Sequence, residues 1–443
     1  MKRKITVLAV LALVGFAGSS FGAGFALIEQ SVKGLGTAFS GGAAVAEDPS
    51  TVYFNPAGMT RLEGTQVTAA VHTIMPSTKF KEEYATNALG ANLFGGDGGE
   101  GGVVGIAPNF YFSETFDTGW SFGLGINAPF GLATEYDKDW VGRYHAVESD
   151  MMTININPAA AYKINDNLSV GVGLNAQYID ATLTSMIDGG LLAIGGASSQ
   201  TADVFTDVTA DDWSYGYNLG VLYQFNDNTR IGASYRSEVA HELEGDVEFT
   251  ATNATASAIM AAFPNQGVSG DIDLPASAQV SFYHRVNDQW ALMADVLWTQ
   301  WSSFEKLTIK FDQGILGGAA TETTTTENWD DNMRYSVGAT FEPNDTCILR
   351  AGLAYDETPI PDANRTPRIP ATDRIWLALG TGYQMNAWNF DIAYAHLFVS
   401  NSNIQQTTPF PPDQTDENFS RGNLVGEFEN SVDIISIEGT YRF

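Results

Sequence analysis

The sequence holds a single cysteine, Cys347, so no disulfide framework is possible in any compartment. Charge is scarce: 17% of residues are charged, with 22 Lys and Arg against 52 Asp and Glu, a net charge of −30. That sign excludes a nucleic-acid backbone as partner. No stretch reaches the ~18 consecutive apolar residues that a membrane-spanning helix needs. No sequence repeat and no low-complexity linker marks a second domain. Aromatic residues, at 12%, and glycine, at 45 positions, are plentiful instead. This is much aromatic surface and little charge for a soluble chain. Length alone would suggest two or three soluble domains, a rule that large barrels break.

The first residues read as a leader. Lys2, Arg3 and Lys4 precede an apolar run from Ile5 to Ala17, and Ser20 and Gly22 stand at the offsets that signal peptidase requires. Cleavage is expected before Ala23, so that residues 1–22 are a signal peptide and the chain is exported.

Alternation with a period of two dominates the rest. In "WSYGYNLGVLYQF", Trp213, Tyr215, Tyr217, Leu219, Val221, Tyr223 and Phe225 share one face. Ser214, Gly216, Asn218, Gly220, Leu222 and Gln224 share the other. Such segments fall near 65–76, 103–113, 120–128, 151–164, 168–185, 213–225, 229–249, 275–286, 289–310, 332–342, 346–356, 373–385, 388–400 and 431–443. About 14 strands result, an even number as single-chain bacterial barrels require. Short Asn/Asp joints at 165–167, 226–228, 286–288, 343–345 and 385–387 are hairpin turns. Long polar loops separate them: 77–102, 129–150, 186–212, 250–274, 311–331, 357–372 and 401–430.

A soluble β-sandwich also alternates. The leader, the aromatic strand ends and the terminal Phe443 favour a closed transmembrane barrel, in which every backbone group is paired without water. The expected architecture is all-β: an antiparallel transmembrane β-barrel of about 14 strands over 63–443, with residues 23–62 as a small plug.

Residues 23–57 do not alternate. They are rich in glycine and alanine, too apolar for a disordered tail and too short for a core of their own. A compact plug in a barrel lumen suits them; a tail outside the barrel is the other reading. "VYFNPAGMT" at 52–60 carries an Asn-Pro turn, which either anchors such a plug or merely leads the chain into the first strand. In "SFGLGINAPFGLATEY", Pro129 and Gly131 interrupt a wall strand. Either the strand ends at Asn127 and a loop begins, or the wall itself breaks there.

The stretch "AGFALIEQSVKGLGTAFSGGAAVAEDPSTVYFNPAGMTRL" at 23–62 resembles the plug of the long-chain fatty-acid and toluene outer-membrane transporters (FadL-type). So do "PFGLATEY" at 129–136, "WVGRYHAVESDMMTININPAAAYKIN" at 140–165, "YRSEV" at 235–239 and "AYDETPIPDANRTPRIPATDRIWLALGTGY" at 354–383. The resemblance implies a 14-stranded barrel with an N-terminal plug, passive inward diffusion of hydrophobic molecules, and residence in a Gram-negative outer membrane. It implies that Asn55, Pro56 and Ala57 anchor the plug against Asp356, which lies on the inward face of its strand with Arg350. It implies that Pro129, Phe130 and Gly131 kink a strand and open the wall sideways to lipid. Phe25 would reach the ligand pocket, with Leu183, Ser185 and Thr325 as further ligand contacts. Fatty-acid members carry basic residues where this chain has Ser185 and Thr325. Weak dependence on a ligand carboxylate is therefore expected, unless Lys163, Arg143 or Lys306 substitutes.

Long-chain fatty acids are the default cargo on this reading, with uncharged hydrocarbons or monoaromatics as the alternative. The expected partners are outer-membrane lipid, lipopolysaccharide and the barrel assembly machinery, and the chain is expected to act as a monomer without cofactor or metal. A general porin would share the barrel but has no use for an apolar plug. A lipase needs serine, histidine and an orienting polar group together, and none of His72, His145, His241, His284 and His396 stands in such a setting. An adhesin or phage-receptor role would use the long loops. Asp97, Glu100, Asp203 and Asp211 read as solvated loop charge, or as groups that bind calcium or bridge lipopolysaccharide.

Overall fold

The computed structural model describes residues 24–194 and 200–443. The expected leader, residues 1–22, lies outside the described residues.

Fourteen antiparallel staves close on themselves. They are β1 (Thr65–Thr86), β2 (Gly105–Thr115), β3 (Trp120–Asn127 and Gly131–Glu135), β4 (Glu148–Lys163), β5 (Leu168–Asp188) and β6 (Asp203–Asn226). Next come β7 (Thr229–Arg236 and Val239–Ala251), β8 (Gln266–Leu274 and Ser277–Arg285), β9 (Trp290–Thr299 and Lys306–Ile315) and β10 (Ala320–Thr326 and Asn332–Asn344). The last are β11 (Cys347–Asp356), β12 (Arg374–Met385), β13 (Trp388–Val399 and Ser402–Gln406) and β14 (Asn423–Arg442). Closure is made by β1 against β14, in register from Gln66↔Arg442 to Thr86↔Asn423, with one shift between Glu82 and Tyr84. The terminal Phe443 donates its N–H to Thr65 O at 3.0 Å and completes the seam.

The alternation maps onto two faces. Trp213, Tyr215, Tyr217 and Leu219 on β6 are exposed on the outside, while Asn218 and Leu222 are buried within. A sandwich would cover the outer set; in lipid it is already in its solvent. Aromatic pairs cluster outside near the short turns: Trp120–Tyr162 at 4.8 Å, Trp290–Phe341 at 4.6 Å and Trp388–Tyr441 at 4.8 Å between ring centroids. Such girdles belong at a membrane interface. The short turns are closed by asparagine carbonyls. Asn165 Oδ1 accepts from the N–H of Asn167 and Leu168, Asn287 Oδ1 from Gln289 and Trp290, and Asn344 Oδ1 from Thr346 and Cys347.

At the opposite end the strands run longer than the alternation predicts. Residues 77–86, 203–212, 266–274, 320–326 and 423–430 are strand rather than loop. Beyond the lipid both faces of a strand meet water or covering loops, so the apolar/polar contrast that marks a stave disappears. Six staves are broken in two, with Pro129 in the break of β3 and Pro275 in that of β8.

Residues 24–62 pack against the inward-facing side chains. They form short helices α1 (Val32–Gly36), α2 (Gly42–Val45) and α3 (Thr51–Phe54), then a 3-10 turn over Pro56–Arg61. Ser31 caps α1 by accepting from Gly34 N–H at 3.2 Å. Asn55 Oδ1 accepts from Ala57 N–H at 3.1 Å, with Pro56 at the first helical position, where its missing N–H costs nothing. The backbone of this segment lies directly on inward glycines of the wall. A Cβ on Gly232 of β7 would run into the Ala43 carbonyl, and one on Gly352 of β11 into the Thr37 carbonyl.

This seating yields a test. Gly232→Val or Gly352→Val overlaps backbone rather than a movable side-chain tip, and should weaken docking of residues 24–62 by about 1–3 kcal/mol or more. The expected result is a barrel that keeps its heat-modifiable mobility in gel electrophoresis while the N-terminal segment becomes protease-sensitive. Unchanged protection of the segment in both variants would contradict the seating.

Candidate functional site

The wall is interrupted at Pro129. The first piece of β3 pairs with β2 from Phe110↔Ile126 to Thr115↔Ser121, and with β4 from Trp120↔Tyr162 to Asn127↔Asn155. The second piece pairs with β4 only, Gly131↔Met152 to Glu135↔Glu148, apart from one bridge between Gly102 and Thr134. Residues 105–109 of β2 pair with β1 and, among the described residues, with no strand on the other side. The strand therefore does not end at Asn127; it breaks and resumes. A cleft of ≈ 750 Å³ opens beside the break, lined by Val67, Ala69, Phe110, Ile126, Ala128 and Ile154 among others.

The backbone groups freed by the break find partners in the N-terminal segment. Leu27 N–H donates to Pro129 O at 2.8 Å, and Gly131 N–H donates to Phe25 O at 2.9 Å, with Ala26 opposite Phe130. Gln30 Nε2 donates to Ala128 O at 2.7 Å. Thr153 Oγ1 serves Phe130 from β4, accepting its N–H at 3.0 Å and donating to its carbonyl at 2.7 Å. Pro129 itself offers no N–H.

The same segment places Phe25 in an aromatic pocket. Its ring lies 4.6 Å from Trp301, 5.6 Å from Phe304, 5.6 Å from Trp329 and 6.1 Å from Phe130 between centroids. Gly24 passes between the tryptophans at φ +65°; a Cβ there would stand 2.6 Å from Trp329 and 2.7 Å from Trp301. Ile360 and Ile369, from the loop between β11 and β12, complete this apolar cluster. Leu183 is not part of it. It packs with Val204, Val247, Phe249 and Phe263 in a separate cluster, because β5 has carried it past the pocket toward the long loops.

The expected bond between Asn55 and Asp356 is not made. Asn55 Nδ2 donates to Ala43 O at 2.7 Å and to Val221 O of β6 at 3.0 Å. Asp356 pairs with Arg374 at 3.5 Å and stands opposite Arg334, whose Nη2 donates to Ala38 O at 3.0 Å. Asn55 sits over β6 and Asp356 on β11, so the turn at 55–57 is tied to a different part of the wall.

Charges that sequence reasoning missed hold the segment. Lys33 lies 2.9 Å from Asp48, 3.5 Å from Glu438 and 3.8 Å from Asp391. Arg350 joins Asp391 at 2.8 Å and Glu47 at 3.2 Å. Burial pulls the Lys33 ammonium down, but Asp48, Glu438 and Asp391 outweigh it and keep its pKa above the ordinary value. Lys33 is a solitary cation in an apolar stretch, and that isolation was the available signal. A polar ladder also runs along the inner wall: Asn155 donates to Asn127 and Asn175, Asn157 to Asn218, and Arg236 to Asn175 and to Tyr53 O.

The proposed basic substitutes lie elsewhere. Arg143 is paired with Asp203 at 2.9 Å, Lys163 with Asp166 at 2.9 Å in a short turn, and Lys306 is exposed. Arginines from other loops stand at the two uncharged positions instead. Arg421 Nη2 donates to Thr325 Oγ1 at 2.9 Å, and Arg368 Nη2 donates to Thr184 O, next to Ser185, at 3.2 Å. Asp203 is thus occupied by Arg143 and Tyr144, and Glu100 by Ser77 and the Thr78 N–H. Among the described residues no group of three His, Cys, Asp or Glu could hold a metal. His72 bonds Ser436, while His241 and His396 bond Asp212 and Asp433; none has both serine and carboxylate.

Comparison with known proteins agrees with this geometry. Residues 13–443 match the family described as outer membrane protein transport protein (OMPP1/FadL/TodX). The chain is 32% identical to an outer membrane protein of Neisseria meningitidis serogroup B over 452 residues, covering 96% of each. It is 30% identical to the long-chain fatty acid transport protein of Escherichia coli K12, covering 85% of this chain and 88% of that one. The crystal structure of a Pseudomonas aeruginosa FadL homologue is similar with a TM-score of 0.86 at 26% identity, over 95% of this chain and 99% of that one. The P. putida toluene transporter TodX shares the fold at a TM-score of 0.69 and 16% identity, over 93% and 98%.

Glu29 supplies a pH test. Its carboxylate is buried in the segment, and burial raises its pKa to about 7 despite its own backbone N–H and Arg334 and Arg374 nearby. Undocked, the group returns to the ordinary carboxylate value of 4.5. A carboxylate whose pKa is raised on docking favours the docked state below its free pKa and loses that contribution as pH rises through the docked value. Protease protection of residues 24–31 should therefore fall as pH rises from 4.5 to about 7, the two pKa values, and level off above. Glu29→Gln should flatten the profile. A wild-type profile independent of pH would contradict the assignment.

Proposed function

The chain belongs to the outer membrane transport protein family (OMPP1/FadL/TodX), and on that premise we propose that it takes up long-chain fatty acids by passive diffusion through the barrel wall. It is an outer-membrane transport protein rather than an enzyme. In this proposal residues 23–62 are the plug. Cargo enters from the long-loop end and displaces Phe25 from the pocket formed with Trp301, Phe304 and Trp329. It then leaves sideways at Pro129, Phe130 and Gly131 into lipid. An apolar tail gains ~0.8 kcal/mol per CH₂ by staying out of water along such a route. The observation that carries the reading is that one three-residue stretch, Phe25 to Leu27, both fills the pocket and pairs with the strand break.

In the same proposal lipopolysaccharide surrounds the long strands and the assembly machinery inserts the chain by its closing strand. The chain works as a monomer. Uncharged hydrocarbons or monoaromatics are the second reading, favoured by the aromatic lining of the pocket.

Uptake in a host lacking its own transporter tests the route. Replacing Pro129–Gly131 by Val-Thr-Val should restore pairing, narrow the cleft and slow oleate uptake at least about tenfold at equal barrel abundance, a barrier of roughly 1.4 kcal/mol. Phe25→Ala should change uptake through the pocket alone. Normal transport by the Val-Thr-Val variant would overturn lateral exit at this position.

A further inference from the structure

Pro158 of β4 and Pro108 of β2 each stand at a rung where the ladder asks for an N–H, and proline has none. The wall treats the two differently. Pro158 falls opposite Leu174 in the β4–β5 register, which runs through Ile156↔Ala176 and Ala159↔Gly173. Its neighbour Asn157 turns a side-chain amide to the task, and Nδ2 donates to Leu174 O at 2.8 Å. Pairing therefore continues past Pro158 on both sides of β4.

Pro108 has no such repair from its own strand. Along β2 the peptide groups of even-numbered residues face β3 and those of odd-numbered residues face β1. The bonds at its end fix this parity: Phe116 N–H donates to Trp120 O at 2.9 Å, and Thr115 N–H to Gly64 O at 3.0 Å. The β2–β3 register ends at Phe110↔Ile126. Carried on, it sets Pro108 opposite Ala128 and Ile106 opposite Phe130. At the first of these rungs the donor is absent, and Ala128 O accepts from Gln30 Nε2 at 2.7 Å instead. At the second, Thr153 Oγ1 already holds both the N–H and the carbonyl of Phe130. Both rungs that would close the cleft are thus taken, and Pro108 and Ala128 line the cleft itself.

We propose that Pro108 sets the width of the opening in the wall, and so the bulk of cargo that passes, with Gln30 as the detachable stand-in for its missing donor. This role rests on the uptake reading above. Asn157 is fixed to its own strand, so the wall at Pro158 is permanently closed. Gln30 belongs to the N-terminal segment, so Ala128 O loses its partner when that segment moves. With no N–H at position 108, β2 cannot take over that carbonyl, and the strands stay apart. An N–H there would add one rung to the wall, two residues of each strand or about 7 Å. Edge strands use proline in the same sense, to refuse a partner.

The test is Pro108→Ala, which returns the N–H while removing side-chain bulk from the cleft, so that a donor effect and a steric effect have opposite signs. Uptake of oleate and of a pyrene-tagged dodecanoate is followed in a host lacking its own transporter, at equal amounts of heat-modifiable barrel. The restored rung should slow the bulky pyrene acid at least about tenfold and oleate by less. Pro158→Ala adds an N–H where the wall is already closed and should leave both rates unchanged. Gln30→Leu gives a readout independent of transport. In the wild-type background it orphans Ala128 O and should speed protease cleavage within residues 24–31 about tenfold. In the Pro108→Ala background the new N–H serves that carbonyl, and the same substitution should speed cleavage only about twofold. Unchanged or faster uptake by Pro108→Ala, equal slowing by Pro158→Ala, or an equal response to Gln30→Leu in both backgrounds would overturn the role of Pro108. Where Pro108→Ala yields no barrel, Gln30→Leu alone decides, and unchanged cleavage overturns the stand-in. Wild type that takes up neither acid removes the uptake reading beneath, whereas normal wild-type uptake with no effect of Pro108→Ala removes only this role.

Discussion

Two backbone hydrogen bonds, Leu27 N–H to Pro129 O and Gly131 N–H to Phe25 O, are the contact on which the rest of the molecule depends. A wall exposed to hydrocarbon cannot leave peptide groups unpaired, and each one left so costs several kcal/mol. Proline at 129 makes an intact ladder impossible at that place. The N-terminal segment supplies partners for Pro129 and Gly131 from inside, while residues 105–109 of β2 stay without a strand on that side. Phe25 occupies the aromatic pocket through the same residue whose carbonyl takes the Gly131 N–H. Pocket filling and pairing at the strand break are therefore one structural event.

The segment is held unevenly. From Val32 to Arg61 its backbone rests on wall glycines, and Lys33 ties it to Asp391 and Glu438 while Arg350 reaches Glu47. Removing one member of such a buried set typically costs about 3–5 kcal/mol, since its partner is left uncompensated. Residues 24–28 have no such anchor. Ring packing and the pairing with 129–131 hold them. In the proposed function, displacement is confined to the few residues that touch both the pocket and the break, while the base stays seated.

Much of this was legible in the sequence. Alternation in stretches such as 213–225 gave the staves, and Asn165, Asn287 and Asn344 marked the short turns, because period-two burial and asparagine carbonyl chemistry are local effects. The outer extensions at 203–212 and 266–274 were not legible, since contrast between faces vanishes above the lipid. Side-chain partners across the lumen were least legible. Asn55 was assigned to Asp356, but β6 supplies its acceptor. Arg368 and Arg421 escaped notice because the loops that bring them to Thr184 and Thr325 are set by tertiary packing. The Pro129 break was visible as a rule violation, but its partner at 25–27 was not, because 26 and 130 are far apart in sequence.

A reversible lock at that contact tests the coupling most directly. Ala26 and Phe130 face each other between the two hydrogen bonds, the arrangement in which Cα atoms approach to about 4.5 Å and a disulfide is readily accommodated. In a Cys347→Ser background, which removes the native thiol, the Ala26→Cys/Phe130→Cys variant is oxidised in the membrane and oleate uptake is followed before and after reduction. Uptake that is blocked when oxidised and restored on reduction is the predicted result. Undiminished uptake with the crosslink fully formed would contradict the claim that release of residues 25–27 from the strand break opens the path.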